Sequence, residues 1–284
     1  MRISVRARRA LATLAASALI ASGAVLAAPA AHAAPLPPDN VTVMAALGDS
    51  ITQASMTCSA LTSCPTNSWA TGTTTSVNSH LLRLRATAAP DSLAGYNFAV
   101  AGAASAALST QASNAMARAP QYVTIEIGAN DACTRTVSAM TPTTTFRTNV
   151  QAAFSTLTAT AAPPQIFVAS IPNLQRMYDL NKSSFSARFT WSLLGICQSM
   201  LANPTSTKAA DVQRRAAVQQ RVNEYNAVLA EVCAAYATCR WDGGAVANYL
   251  FVKSDISTRD YFHPSLSGQA TLANVTWPRT PWAS

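Results

Sequence analysis

The sequence predicts an α/β sandwich built on a mainly parallel sheet. Short apolar runs alternate with longer segments of helical periodicity, and the runs are apolar throughout, as expected of strands covered on both faces. No internal repeat or domain-sized linker interrupts that alternation, so one layered domain accounts for the pattern.

The chain opens on Arg2, Arg6, Arg8 and Arg9, an apolar stretch from Ala10 to Ala28, and Ala31-His32-Ala33 before Ala34. Basic start, apolar middle and small-residue end are the parts of an export signal, here residues 1–33. A membrane anchor is the alternative; the Ala/Gly/Ser-rich middle and Pro29 weigh against it. Arg8-Arg9 faintly resembles a twin-arginine signal, with poorly matching flanks. Either route ends outside the cytoplasm, and the expected product is a secreted protein with no stable membrane anchor. Removing these residues takes four arginines and no acid from the 284-residue chain, leaving residues 34–284 as one domain. The formal charge falls from +8 to about +4, which is no nucleic-acid footprint.

The strand candidates are Val41 to Leu47, Tyr96 to Ala101, Tyr122 to Ile127 and Gln165 to Ser170. Helices are expected over Thr73 to Thr87, Ala103 to Arg118, Thr144 to Thr160 and Ala209 to Tyr236, punctuated by Pro120, Pro163-Pro164 and Pro204. Ala34 to Asn40 reads as a frayed start. Between Cys58 and Gly72 lies a loop in which Asn67-Ser68-Trp69-Ala70-Thr71-Gly72 either packs as surface loop or walls a pocket. Phe185, Phe189, Leu193 and Ile196 recur at helical spacing; such a stripe is expected in the core rather than lining an acyl pocket or forming a lid.

All six cysteines, Cys58, Cys64, Cys133, Cys197, Cys233 and Cys239, follow the signal. In an exported chain disulfides are the default. Cys58 with Cys64 and Cys233 with Cys239 are the short local pairs, leaving Cys133 with Cys197. Zinc is the competing reading, but no CxxC pair occurs and histidines are few.

Candidate chemistry starts at Leu47-Gly48-Asp49-Ser50-Ile51-Thr52, which follows the first apolar run directly. Alone, Asp49-Ser50 reads as a helix N-cap. A nucleophilic serine would need a base, an orienter for that base and donors for an oxyanion. Beyond the signal only His80 and His263 remain. His80 reads as an ordinary helix-surface histidine. His263 lies in Asp260-Tyr261-Phe262-His263-Pro264-Ser265, before a C-terminal helix expected through Leu272 with Pro264 in its first turn. An Asp three residues before a His can fold back onto one ring nitrogen, which makes Asp260 the candidate orienter. Backbone and side-chain donors are offered by Gly102, after Asn97-Phe98-Ala99-Val100-Ala101, and by Asn130 in Ile127-Gly128-Ala129-Asn130-Asp131.

Gly48-Asp49-Ser50, Gly102, Gly128-Ala129-Asn130-Asp131 and Asp260-Tyr261-Phe262-His263, in that order, resemble the SGNH or GDSL-type serine hydrolase family over essentially the whole mature length. The first block reads Gly-Asp-Ser-Ile instead of Gly-Asp-Ser-Leu. A looser likeness to the phospholipase B-like branch covers mainly the first half. The resemblance implies a flavodoxin-like three-layer α/β/α sandwich with Ser50 as nucleophile, His263 as base and acid, and Asp260 as its orienter. It also implies an oxyanion hole of the Ser50 and Gly102 amides with the Asn130 side chain. Some secreted family members orient the histidine with a main-chain carbonyl in place of the Asp.

The expected activity is therefore secreted ester hydrolysis by a monomer acting on a lipid or other acyl ester, without metal or organic cofactor. A carbohydrate acetyl esterase and a catalytically inert surface-binding domain are the rival readings. Glu126, inside an apolar strand run, is assigned no role.

Overall fold

The computed structural model describes residues 33–87 and 92–283; the expected export signal, apart from Ala33, lies outside them. Five strands, β1 (Val43–Gly48), β2 (Ala94–Asn97), β3 (Tyr122–Glu126), β4 (Gln165–Val168) and β5 (Cys239–Trp241), form an all-parallel sheet in the order β2-β1-β3-β4-β5. This is the flavodoxin-like order. The chain leaves β1 toward one edge and returns to pair β3 on the other side of β1, so loops diverge between the carboxyl ends of β1 and β3. A crevice opens there by topology alone.

The helices are α1 (His80–Thr87), α2 (Leu108–Met116), α3 (Ala129–Ala132), α4 (Thr143–Thr158), α5 (Leu174–Asn181), α6 (Phe185–Leu194), α7 (Gln198–Leu201), α8 (Ala209–Ala234) and α9 (Leu266–Thr276). Neighbours α2, α4 and α8 cover one face of the sheet. On the other, His80 of α1 reaches Thr276 of α9 and the strand residues Tyr122 and Phe167. The three expected disulfides are present: Cys58–Cys64, Cys133–Cys197 and Cys233–Cys239.

Several local expectations are corrected. Strand β2 ends at Asn97 instead of running to Ala101, because the Asn97 side chain accepts from the Ala99 amide and donates to the Thr52 carbonyl, turning the chain out of the ladder. Helix α1 starts at His80, not Thr73: Ser79 Oγ accepts from the Leu82 amide and closes the preceding turns. The edge strand β5, which contains Arg240, has no apolar run to announce it.

His80 is not on the surface. It is fully buried, with Nδ1 2.9 Å from Tyr122 Oη and Nε2 2.8 Å from Thr276 Oγ1. Burial, with the Arg83 charge adding to it, lowers its pKa to about 3, so it is a neutral core histidine. The stripe on α6 is also reversed. Ser184 caps the helix and Gly195, in the left-handed region, ends it. The inward face is Ala187 and Trp191, while Phe185, Phe189 and Leu193 are 75%, 59% and 69% exposed. The period was right, but the larger indole, packed near Tyr178, takes the core side.

Candidate active site

Strand β1 ends on Gly48, whose φ is +145° and where a Cβ would stand 2.2 Å from the Glu126 carbonyl. Only glycine allows this approach of β1 to the end of β3. Gln111 of α2 fixes the same residue, accepting from its amide at 2.8 Å and donating to its carbonyl at 2.9 Å. The chain then turns sharply. Asp49 Oδ1 accepts from the Ile51 amide at 2.9 Å, an Asx-type turn that holds Ser50 at the strand's mouth. No helix follows directly, so the N-cap reading of Asp49-Ser50 gives way to this turn.

His263 arrives on a loop stapled at several points. Ile256 bridges Pro264, and the Ser257 amide donates to the His263 carbonyl at 2.8 Å. Pro264 is not in the first turn of α9: Ser265 caps the helix, its hydroxyl accepting from the Gly268 amide, and Pro264 stands just before the cap. From α9, Gln269 donates to the Ile51 carbonyl at 2.8 Å and accepts from the Trp69 amide at 2.9 Å. One side chain thus ties the helix after His263 to the turn that carries Ser50.

The three side chains meet across this junction. His263 Nε2 is 2.7 Å from Ser50 Oγ, and His263 Nδ1 bonds the Oδ2 of the fully buried Asp260. Asp260 Oδ1 accepts from the amides of Phe262 and His263, each at 3.1 Å, which fixes the carboxylate. An acid on Nδ1 selects the tautomer with Nε2 free to accept the serine proton. Burial alone would lower the His263 pKa; the hydrogen bond and charge of Asp260, with the charge of Asp49, outweigh it and raise it above the ordinary imidazole value.

At the end of β3, Gly128 has φ +125°, and a Cβ there would lie 2.5 Å from Ile171 Cδ1. That tight turn brings Asn130 of α3 beside Ser50. Its Nδ2 donates to the Ala103 carbonyl at 3.0 Å and to Asp49 Oδ2 at 3.3 Å. Gly102, exposed with φ +81°, lies in the neighbouring segment, where the Val100 amide donates to the Gly48 carbonyl at 3.1 Å. The structure therefore gathers Ser50, Asp260, His263 and Asn130 at the β1/β3 crevice, and Gly102 lies between Val100, which bonds Gly48, and Ala103, which bonds Asn130.

Ser50, Asn130 and His263 form the polar end of a cavity of about 160 Å³. Its remaining wall is apolar, with Leu174, Met177, Ile196, Phe262 and the Cys133–Cys197 disulfide. A cavity of about 150 Å³ takes a molecule the size of benzene, so this one suits a short acyl chain. Segment Asn67 to Gly72 does not line it; Trp69 is buried in the core, its Nε1 3.3 Å from Thr52 Oγ1. A larger open groove near α5 and α8, of about 760 Å³, contains none of the gathered residues. Among the described residues no cluster of His, Cys, Asp and Glu could hold a metal ion.

Asp49, Gln111 and Gln269 were not picked out by sequence reasoning. Asp49 stands in the Gly48-Asp49-Ser50 block, where its place beside the serine is a local signal. The two glutamines had no signal, because a glutamine on a helix ordinarily faces water.

Comparison with known proteins agrees with the architecture. No curated protein matches the chain. Among solved structures, a variant of an acetyl xylan esterase from Geobacillus stearothermophilus is similar at a TM-score of 0.52 and 14% identity, covering 86% of this chain and 95% of that one. An extracellular lipase from Streptomyces rimosus is similar at a TM-score of 0.41 and 17% identity, covering 83% and 99%. The likeness to the esterase is one of fold alone. The model of the GDSL-like lipase/acylhydrolase family matches residues 44–275, most of the chain and every gathered residue, and so the protein belongs to that family of ester hydrolases.

Proposed function

We propose that the protein cleaves acyl esters through a Ser50–His263–Asp260 triad and an acyl-enzyme intermediate, with lipid-like esters of short acyl chain as substrates. The observation that carries this reading is the continuous hydrogen-bonded line from Asp260 through His263 to Ser50 Oγ, opening on an apolar cavity. Ser50 Oγ attacks the ester carbonyl as His263 Nε2 takes its proton. Asp260 holds the ring and stabilises the imidazolium that forms. The oxyanion is met by the Ser50 and Gly102 amides and by Asn130, whose long 3.3 Å bond to Asp49 leaves that N–H able to be shared. Collapse expels the alcohol as His263 returns the proton, and water repeats the cycle on the acyl-enzyme.

The apolar cavity wall and the exposed Phe185, Phe189 and Leu193 favour a lipid-like substrate. The cavity's small volume favours a second reading, an acetyl esterase acting on a glycan. The working form in this proposal is a monomer of residues 34–284, and secreted, the last a reading to which the three disulfides lend support.

The test compares p-nitrophenyl acetate, butyrate and octanoate with a short-chain phospholipid and an acetylated xylan. Butyrate is expected to be turned over best, with the short-chain phospholipid hydrolysed and the xylan spared. Ser50→Ala and His263→Ala are expected to lower kcat by at least about a thousandfold in folded protein. Turnover retained by both variants would overturn the triad; preference for the xylan would select the second reading.

A further inference from the structure

Glu126, the last residue of β3, is fully buried and stands in register with Gly48 of β1. Neither of its carboxyl oxygens receives a hydrogen bond from a donor group among the described residues. Its polar neighbour is a second acid, the fully buried Asp49 carboxyl, carried by the residue after the Gly48 that pairs with Glu126. Neither acid takes part in an ion pair with lysine or arginine among the described residues.

Two ionised carboxyls cannot share such a place; one proton between them turns repulsion into a charge-assisted O–H···O⁻ bond. Burial, followed by the charge and hydrogen bond of Asp49, raises Glu126 well above the usual carboxylate range. Asp49 is pushed up only to about 6, since burial is opposed by the Ile51 amide and the His263 charge and reinforced by Asp131. Asp49 already accepts from two N–H groups, whereas neither Glu126 oxygen has a donor, so the shared proton belongs on Glu126.

The other hydrogen bonds of Asp49 lead to the site: Oδ1 takes the Ile51 amide and Oδ2 takes Asn130 Nδ2. We propose that Glu126 is a positioning residue, a neutral carboxylic acid that donates to Asp49 and fixes it as the link between the Ser50 turn and the Asn130 amide. Without that donor the buried Asp49 charge would lean on its two remaining partners and draw the Asn130 N–H away from the oxyanion. The role rests on the assignment of Ser50 and Asn130 above.

The experiment uses the full chain with Glu126→Gln, which keeps a donor, and Glu126→Leu, which fills the volume without one. Glu126→Gln is expected to keep kcat within about threefold, while Glu126→Leu lowers kcat about tenfold with KM within about twofold. At neutral pH the infrared difference between wild type and Glu126→Gln is expected to contain the carbonyl stretch of a protonated carboxylic acid. Wild-type kcat in Glu126→Leu, or absence of that band, overturns the proposal. If Glu126→Leu does not fold, the infrared difference decides alone. Ser50→Ala is assayed alongside. Should it remain active, the nucleophile assignment fails, whereas the infrared band still reports the state of Glu126.

Discussion

Replacing Cys133 and Cys197 together by alanine should cost far more stability than replacing either local cysteine pair. The bond joins residues 64 positions apart, against 6 for Cys58–Cys64 and for Cys233–Cys239. In the chain-entropy account the long loop is worth about 4 kcal/mol and each short one about 2 kcal/mol. Position adds to the difference. Cys133 directly follows α3, which carries Asn130, and Cys197 directly precedes α7, so the bond clamps the proposed oxyanion donor to the cavity wall. The Ser199 amide and hydroxyl, which donate to Thr134 and Ala132 carbonyls, would hold part of this contact. The check is urea unfolding of Cys133→Ala/Cys197→Ala beside Cys233→Ala/Cys239→Ala, with butyrate hydrolysis measured on the folded proteins. The long-loop variant should lose about 2 kcal/mol more than the local one, and kcat should fall about tenfold. Equal losses, or a greater loss in the local variant, would refute the reasoning.

Three further outcomes are expected. Gly48→Ala should destabilise by about 3 kcal/mol or more, because its Cβ would meet the Glu126 carbonyl at 2.2 Å and its φ disfavours a side chain; thermal unfolding reads this. His80→Gln should flatten acid sensitivity: below pH 6.5 the unfolded chain binds a proton that the folded His80, at about 3, refuses. The His80 contribution to stability should fall by about 1.4 kcal/mol per unit as pH drops through that window, and the slopes of wild type and variant should differ by that amount. Because Asp260 raises His263, and the proposed base must be neutral to act, wild-type kcat should rise with pH through a midpoint above the ordinary imidazole value. In Asp260→Asn that midpoint should move to lower pH while the plateau drops by about a thousandfold or more, as a pH–rate profile would show.

The sequence by itself determined the layered parallel fold, since apolar runs covered on both faces leave few other arrangements. It also determined the cysteine pairing, because two short spacings left one long one. Ser50, His263, Asp260, Gly102 and Asn130 were legible as candidates because each stands at a glycine-marked strand end or within three residues of its partner, where local chemistry is written in local sequence. What only the tertiary structure decided depends on residues far apart in the chain. Periodicity placed Phe185, Phe189 and Leu193 on one helix face, yet the packing of Trp191 chose which face was buried. His80 became a core residue because Tyr122 and Thr276 supply its partners from 42 and 196 positions away. Gln269 reaches Ile51 across 218 positions, a contact no local pattern encodes. Glu126 had no meaning inside its strand until the parallel register set it beside Gly48 and the next residue, Asp49, gave its proton a place to go.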